Sequence, residues 1–325
     1  ETLARQIALG VVPKGTKLAN KPEAIKDWDK LSADEKKLFA RQMEVYAGFG
    51  EYCDHEIGRL FDAVAALQAR RLGADATRVE WAPQLGDRPA DAGCVLAHEV
   101  LDNFPVHVFE AGPSELPGAI PEVREVYVDL EGERLVERLG PPSDPALAGG
   151  AAGSDPARRR REVCADLDGW LEAATRTIGR GYLLLVDYGD YEEDLWAKSP
   201  EGTIVTYGPE GFGHDPLEDP GSRDITADVN FSAVERAARR CGFIPQLFVT
   251  QREWLGALGL PEAASDLERA ADAAWAEGRN AVAMAADEEL ALLRTLAARM
   301  GLGDIMVFRA AKDALPPVPH LASAR

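Results

Sequence analysis

Two apolar runs that end in acidic residues constrain the fold of this chain more than any other feature. The first run opens VLAHEVLDNFPVHVFE at Val95, and the second lies in GRGYLLLVDYGDYEEDL and ends at Asp187, Tyr188 and Gly189. Both are typical of buried strands that stop at a polar turn. Strand patterns alternate with amphipathic helix patterns from Leu67 onward, which predicts an α/β fold with a mostly parallel sheet covered on both faces.

The acids at these strand ends are the first candidates for a site. Ligands of open α/β sheets bind outside the carboxyl ends of the strands. Glu99 and Asp102 follow the first run, with His98 beside them, and Asp187 and Tyr188 follow the second. Such acids can orient a cation, accept a proton or bind hydroxyl groups, and they can also simply cap a loop or helix. We expect Glu99, Asp102 and Asp187 to face one crevice.

A region of different character precedes Leu67. Ser32 and Glu35 match a capping box, and apolar residues then recur every three or four positions to Val64, which predicts one long helix with a packed apolar stripe. The segment before it, GVVPKGTKLANKPEAIKDWDKL, has the Gly, Pro and Asn content of an extended surface loop. His55 is interpreted as a histidine on the helix surface and not as a metal ligand.

Charge and cysteine usage restrict the partners and the compartment. A net charge of −19 argues against nucleic acid or an anionic membrane as partner. No stretch reaches the roughly 18 apolar residues of a membrane span, and the N-terminus lacks the pattern of a signal peptide. Cysteines lie at four scattered positions without metal-ligand spacing: Cys53, Cys94, Cys164 and Cys241. We therefore predict reduced, mostly buried thiols, no metal site and a cytoplasmic location, and the oligomeric state stays open.

Two polar segments allow more than one interpretation. GPPSDPALAGGAAGSDPARRRR predicts a loop ending in Arg158 to Arg161, a charge run that is solvated or, alternatively, binds an anion, and then a helix from Val163. Farther on, one residue among Thr226, Asp228 and Asn230 is expected to cap an amphipathic helix. Capping accounts for only one of these three polar residues.

Six segments occur in an order that is typical of one known family. They are VLAHEVLDNFPVHVFE, GYLLLVDYG, EGTIVTY, HDPLEDPGSRDITADVNFSAVERAARRCGF, TQREWLGALGL and GLGDIMVF. Together they resemble the MidA-type S-adenosylmethionine-dependent methyltransferases, from about Leu67 to about Lys312. That family includes a mitochondrial complex I assembly factor that methylates an arginine of a complex I subunit.

The resemblance implies a Rossmann-like class I methyltransferase fold with S-adenosylmethionine as cofactor. The family's strand-four signature is usually Asn-Glu, two residues, Asp, two residues, Pro-Val. Here Glu99, Asp102, Pro105 and Val106 match, and His98 replaces the Asn. By position, the resemblance implies that Trp81, His98 and Glu99 contact the cofactor; plain core is the alternative for Trp81.

The same resemblance implies the catalytic roles. Methyl transfer from a sulfonium needs little acid chemistry and depends on in-line positioning. For a guanidinium acceptor, Glu99 and Asp102 would orient the nucleophile and disperse its charge, with Asp187 and Tyr188 as second candidates. A protein substrate, possible for this family, would supply that acceptor.

One expected part of the family fold is missing from the sequence pattern. No glycine-rich turn joins a strand to a helix before the strand-four signature: Gly48 to Gly50 lie in the helical stripe, and Gly149 to Gly153 lie in the predicted loop. We therefore predict a class I sheet that is incomplete in its N-terminal half and is preceded by a loop and a long helix.

The first 65 residues resemble another family instead. WDKLSADEKKLFARQMEVYAGF and DHEIGRLFDAV are similar to an internal segment of bacterial arylsulfatases. The predicted organisation is an arylsulfatase-like fragment at 1–65, a methyltransferase domain at 66–312 and a tail at 313–325. Two alternatives to a methyltransferase are a sulfuric ester hydrolase, whose Cys-x-Pro-x-Arg motif is absent, and a non-catalytic module that binds a protein.

Overall fold

The computed structural model describes residues 4, 5, 7, 26–80, 89–111, 123–132, 134–151 and 160–313. Contacts divide the chain into two compact units, Glu1–Trp81 and Ala82–Arg325. Each unit is described by itself below. None of the described helices is both long enough and apolar enough to cross a membrane.

A single long helix dominates the described part of the first unit. Helix α1 spans Ala33–Leu72, and the Ser32 side chain accepts from the Glu35 N–H while the Glu35 carboxylate accepts from the Ser32 N–H. The predicted capping box is confirmed, and the helix extends eight residues beyond the predicted end. The apolar stripe is not packed at Met43 and Tyr46, which are 64% and 69% exposed, so it is at least partly exposed. The two 3-10 turns of this unit, Trp28–Lys30 and Gly73–Arg78, are too short to cover 40 helical residues.

The second unit contains the strands and the remaining helices. The strands are β1 (Ala90–His98), β2 (Val106–Ala111), β3 (Val123–Glu131), β4 (Arg134–Gly140), β5 (Arg160–Cys164), β6 (Ile178–Asp187), β7 (Gly189–Asp190), β8 (Ile204–Gly208), β9 (Gly211–Gly213), β10 (Asp224–Ala227), β11 (Val229–Asn230), β12 (Ile244–Thr250) and β13 (Met306–Lys312). The helices are α2 (Pro145–Ala151), α3 (Leu167–Thr177), α4 (Glu192–Lys198), α5 (Phe231–Arg240), α6 (Gln251–Ala257), α7 (Leu260–Ala276) and α8 (Asn280–Leu296).

The central sheet has the strand order β1-β6-β13-β12. Only β1 and β6 run parallel; β13 is antiparallel to both of its neighbours. A second described sheet, β4-β3-β2-β5, is wholly antiparallel. The prediction of a mostly parallel sheet is therefore wrong. A short turn at Gly132 joins β3 to β4, whereas a parallel pair needs a long crossover.

One face of the central sheet carries the main core. Helices α3 and α5 pack against it, and the apolar side chains between sheet and helices are buried. They include Val95, Ala97, Leu183, Leu185 and Phe308 from the strands and Leu171, Ala174, Phe231, Val234 and Ala238 from the helices. Burial of large side chains such as Phe231 stabilises the sheet by about 2 kcal/mol or more each.

Strand β1 forms one border of the central sheet in the described part of the chain. Its outward-facing Leu96 is 64% exposed, and Cys94 is exposed as well, although the neighbouring Val95 and Ala97 are buried in the core. Among the described strands, β1 is paired on one side only, and an unpaired edge invites further pairing. Leu96 in addition leaves apolar surface exposed on one face of the sheet. The four cysteines are free, and none of them is fully buried, contrary to the prediction of mostly buried thiols.

The arginine-ending loop folds differently from the sequence prediction. Its Pro145–Ala151 part is helix α2, and Arg160 and Arg161 lie in β5, so helix α3 begins at Leu167 and not at Val163. Arg160 donates to Glu110 at 2.8 Å and to Glu137 at 3.0 Å, and Arg161 is buried beside the Trp196 ring. Of the two described arginines, Arg160 is therefore paired with acids of the protein, and Arg161 is packed within it.

Gly189 fixes the path of the chain beyond β6. Its φ is +143°, and β7 pairs with β11 there. A Cβ at this position would lie 2.0 Å from the Val229 carbonyl oxygen. Gly189→Ala is expected to lower the free energy of unfolding by about 3 kcal/mol, measured in urea. Gly256→Ala, where nothing lies within 4 Å, is the control and should change stability by less than about 1 kcal/mol. Equal effects would contradict this account.

Candidate active site

The carboxyl ends of β1 and β6 meet at one edge of the central sheet. The two strands are parallel, with His98 opposite Val186. The Glu99 N–H donates to the Val186 carbonyl at 2.8 Å, which continues the pairing by one residue. Glu99, Asp102 and Asp187 therefore lie at the same edge, as predicted.

Asp187 is a hydrogen-bond acceptor for the turn after β1. Its Oδ2 accepts from the N–H groups of Val100 at 3.2 Å, Leu101 at 2.9 Å and Asp102 at 3.4 Å. Its Oδ1 accepts from the Tyr188 N–H at 2.9 Å. The residue is 2% exposed. Burial and the charge of Asp102 raise the pKa of Asp187 to about 7, against the N–H donors, which lower it.

Asp102 sits in the short 3-10 turn that Asp187 supports, at Leu101–Asn103. Its carboxylate is buried, and Oδ1 accepts from the Asn103 Nδ2 at 2.7 Å. The same Nδ2 donates to the Glu99 carbonyl at 3.3 Å. Burial raises the pKa of Asp102, and the negative charge of Glu99 acts in the same direction.

Glu99 has an unusual backbone. Its φ is +49°, in the left-handed region that side chains other than glycine rarely occupy. Such a conformation costs about 1–3 kcal/mol and is concentrated at functional sites. The Glu99 carboxylate is partly exposed, 3.7 Å from Nδ1 of the more exposed His98. The strained turn thus directs one carboxylate to solvent and the next, Asp102, inward.

Tyr188 completes the described edge. Its side chain is 37% exposed, and its pKa is raised by burial first and then by the charge of Glu99. The charges of Tyr207 and Asp102 contribute to the same rise in the pKa of Tyr188. The predicted cofactor residue Trp81 lies outside the described residues.

Two further acids, Glu162 and Asp228, lie near this edge. Glu162 and Asp228 line a cavity of about 90 Å³ together with Leu101, Val106, Leu167, Trp196 and Val229. Burial and the charges of Glu162 and Asp102 raise the pKa of Asp228 to about 6. The signal for Asp228 was present: Asn230 caps α5 by accepting from the Ala233 N–H, which leaves Asp228 without that explanation. No sequence pattern marked Glu162 as a site residue, because it directly follows the arginine run Arg158 to Arg161.

The electrostatics of the edge are negative. Among the described residues, no Lys or Arg forms an ion pair with Glu99, Asp102 or Asp228. Two cations near Asp228 are paired with other acids: Lys198 with Asp190 at 2.5 Å, and Arg236, which lines the same cavity as Asp228, with Glu192 at 3.3 Å. No cluster of three or more His, Cys, Asp or Glu in the described ranges is arranged to hold a metal ion.

The raised pKa of Asp187 predicts a pH dependence of stability. The native state binds a proton that the unfolded chain releases near pH 4, so stability falls as pH rises from about 4 to about 7. The expected slope is about −1.4 kcal/mol per pH unit for this group. Asp187→Asn should remove that contribution, which urea unfolding at several pH values measures. An unchanged slope in the variant would contradict the shift.

Comparisons with known proteins decide the family. The family model described as "Putative S-adenosyl-L-methionine-dependent methyltransferase" matches residues 60–249, more than half of the chain. The chain belongs to this family. The match includes β1, β6 and the acids at their carboxyl ends. It excludes almost all of residues 1–65, whose resemblance to arylsulfatases finds no support in the comparisons.

Curated relatives carry one name in several animals. Protein arginine methyltransferase NDUFAF7, mitochondrial, from Mus musculus is 31% identical over 208 residues, 61% of this chain and 43% of the relative. The protein of the same name from Homo sapiens is 34% identical over 50% of this chain and 34% of the relative. The chain thus spans less than half the length of these relatives. Because they are mitochondrial proteins, the prediction of a cytoplasmic location is wrong.

Solved structures show the same fold. A crystal structure from Burkholderia thailandensis bound to S-adenosyl-homocysteine has a TM-score of 0.59 at 22% identity, covering 80% of this chain and 62% of that one. The native structure of a protein of the same superfamily and organism gives a TM-score of 0.61, with 80% and 64% covered. The α/β fold of this chain is therefore the fold of these two proteins.

Proposed function

We propose that this chain carries the acceptor side of a MidA-type S-adenosylmethionine-dependent methyltransferase that acts on arginine in a protein. The observation that carries the proposal is the negative edge at β1 and β6. Among the described residues, neither Glu99 nor Asp102 forms an ion pair with a Lys or Arg there, and His98 Nδ1 lies 3.7 Å from the Glu99 carboxylate. A guanidinium group would supply such an ion-pair partner, and the relatives named above are arginine methyltransferases.

The chemistry assigned to the edge is binding and orientation. Carboxylates bind guanidinium through charge-assisted hydrogen bonds, which are stronger than neutral ones. Glu99 would hold the exposed side of the group, and Asp102 would direct the reacting nitrogen and accept its proton. Tyr188 would border the acceptor from the end of β6. Fixed orientation is the main contribution that methyl transfer needs from protein side chains.

The described residues do not fit a whole cofactor. A class I site needs a glycine-rich turn at the carboxyl edge of the sheet. Gly48 and Gly50 lie in α1 and Gly149 lies in α2, each with nothing within 4 Å, so none of them forms such a turn. β1 lies at a border of the described central sheet, and the side chain of Leu96 is exposed to solvent. Both observations support a sheet that lacks its N-terminal half. His98 and Glu99 would then supply only one side of the cofactor pocket.

The proposed organisation follows from the same argument. Residues 66–312 would form the methyltransferase domain, and residues 1–65 would be a separate fragment of arylsulfatase-like origin. The family match beginning at residue 60 and the separate first unit support a boundary in this region. The exposed stripe of α1 supports a helix without its original packing partner.

A non-catalytic protein-binding module is the second candidate. Among the described strands, β1 is paired on one side only, which favours this candidate because the sheet then lacks the strands of a full cofactor pocket. A chain without that pocket can still use its acidic edge to bind a partner. Both candidates predict that the edge binds a cationic peptide. They differ in methyl transfer, which only the first predicts once a cofactor pocket is complete.

Peptide binding tests the acceptor assignment. We expect calorimetry to show that an arginine peptide binds this chain and that the same peptide with citrulline, a neutral isostere, binds at least about tenfold more weakly. A lysine peptide separates charge from shape. Equal affinity for arginine and citrulline would contradict the proposed acceptor.

A further inference from the structure

The side-chain amide of Asn103 connects Glu99 and Asp102, the two acids at the β1 and β6 edge, which is called the acceptor edge below. Asn103 Nδ2 donates to the Asp102 carboxylate at 2.7 Å and to the Glu99 carbonyl at 3.3 Å. The family signature places an Asn at the position of His98, and His98 forms neither of these bonds. The site therefore contains an amide donor, but from the residue that follows Asp102.

A second support reaches the same turn from the opposite side. The buried Asp187 binds the N–H groups of three successive residues in the turn, Val100 to Asp102, although it lies more than 80 residues away in the chain. These bonds hold the backbone of Asp102, whereas Asn103 holds its carboxylate. Both carboxylate oxygens of Asp187 accept hydrogen bonds from backbone N–H groups, which leaves this side chain poorly suited to contact the group that is methylated.

We propose that Asn103 and Asp187 are positioning residues that set the orientation of the Asp102 carboxylate and keep it available to a cation. The inference rests on the proposed function, in which Asp102 contacts the acceptor. Asp187 fixes where the turn lies and Asn103 fixes how the side chain of Asp102 is turned. Neither residue touches the reacting group.

Protonation of Asp102 depends on the groups that face it. The charge of Glu99 raises the pKa of Asp102, and the charge of Asp102 in turn raises the pKa values of Asp187, Tyr188 and Asp228. Each of these groups would therefore repel an ionised Asp102 carboxylate when itself charged. The amide of Asn103 is the side-chain donor that opposes them. Loss of this donor should therefore favour the protonated carboxyl, which cannot attract a guanidinium.

The test of Asn103 is a carbon-13 NMR titration of the Asp102 carboxyl, assigned by its absence in Asp102→Asn. Asn103→Leu keeps the size of the side chain and removes its donors. We expect the Asp102 titration to move to higher pH and the affinity for an arginine peptide to fall about tenfold. Asn103→Gln, which keeps an amide, should recover part of both effects. Asn280→Leu, an exposed substitution in α8, should change neither.

The test of Asp187 is amide hydrogen exchange. In Asp187→Asn, the N–H groups of residues 100–102 should exchange at least about tenfold faster, while those of β12 change little. Uniform acceleration across the sheet would show a purely structural role and overturn the inference for Asp187. An Asp102 titration that is unchanged in Asn103→Leu would overturn it for Asn103.

These readouts separate the inference from the proposed function. If the unmodified chain fails to distinguish arginine from citrulline, the proposed acceptor is wrong, yet the titration of Asp102 and the exchange rates still report on positioning. If the chain does distinguish them and neither variant changes Asp102, the function stands and the positioning roles are rejected.

Discussion

The double substitution Glu99→Gln with Asp102→Asn is expected to weaken binding of an arginine peptide by at least about 100-fold. Removing one partner of a buried, hydrogen-bonded charge pair costs about 2–5 kcal/mol. Asp102 is buried, and Glu99 is held in a left-handed conformation that fixes its direction. Both substitutions keep the size of the side chain and remove only the charge. Calorimetric titration of the peptide measures the loss.

The control for this variant must remove the same charge elsewhere. Asp266→Asn with Glu277→Gln does so, since both acids are exposed and lie at or beside α7, where they pair with Arg269 and Arg279. We expect this pair to weaken binding less than about twofold, because salt screens distant surface charges. A similar loss in both double variants would show that net charge, and not the acceptor edge, binds the peptide.

Completing the sheet is expected to have the second large effect. With residues 1–66 replaced by the N-terminal half of a complete family member, affinity for S-adenosylmethionine should rise at least about 100-fold, to the micromolar range. The physical reason is backbone supply: the described edge offers no glycine turn, and β1 lies at a border of the described central sheet, where further strands would pair. New strands would pair with the free edge of β1, and the turns at their carboxyl ends would bring the missing contacts to the cofactor.

Calorimetry on the two proteins measures this effect. The control is the original chain, with residues 1–66 kept, carrying the single substitution Leu96→Ala. It tests the effect of removing exposed apolar surface alone. Micromolar binding by the unmodified chain would contradict the prediction, because the cofactor pocket would then be complete without the replacement. Cofactor binding that appears only after the replacement would show that the missing N-terminal half weakens binding, and that the His98 found in place of the family's Asn does not.

Local signals predicted much of the site. Apolar runs with acids at their ends located Glu99, Asp102 and Asp187, because a buried strand must end where its side chains turn polar. The capping box at Ser32 located the start of α1, and the polar triplet before α5 contained its cap, Asn230. Each of these features depends on residues within a few positions of one another.

Features that depend on distant contacts could not be read in the same way. The role of Asp187 in holding a turn more than 80 residues away follows from strand pairing, which no local pattern specifies. Asn103 looked like any loop residue until the turn brought its amide to Asp102. Arg160 and Arg161 resembled a solvated charge run, but Glu110, Glu137 and Trp196 lie across from them in the folded unit.

Methyl transfer by the completed protein tests the central claim most directly. Labelled S-adenosylmethionine and an arginine peptide are incubated with the completed protein and with its Glu99→Gln, Asp102→Asn variant. We predict that the completed protein labels the arginine peptide and not its citrulline counterpart, and that the variant is at least about 100-fold slower at equal cofactor binding. Micromolar cofactor binding without labelling of arginine, or equal rates in the variant, would contradict the assignment of the β1 and β6 edge as the acceptor site.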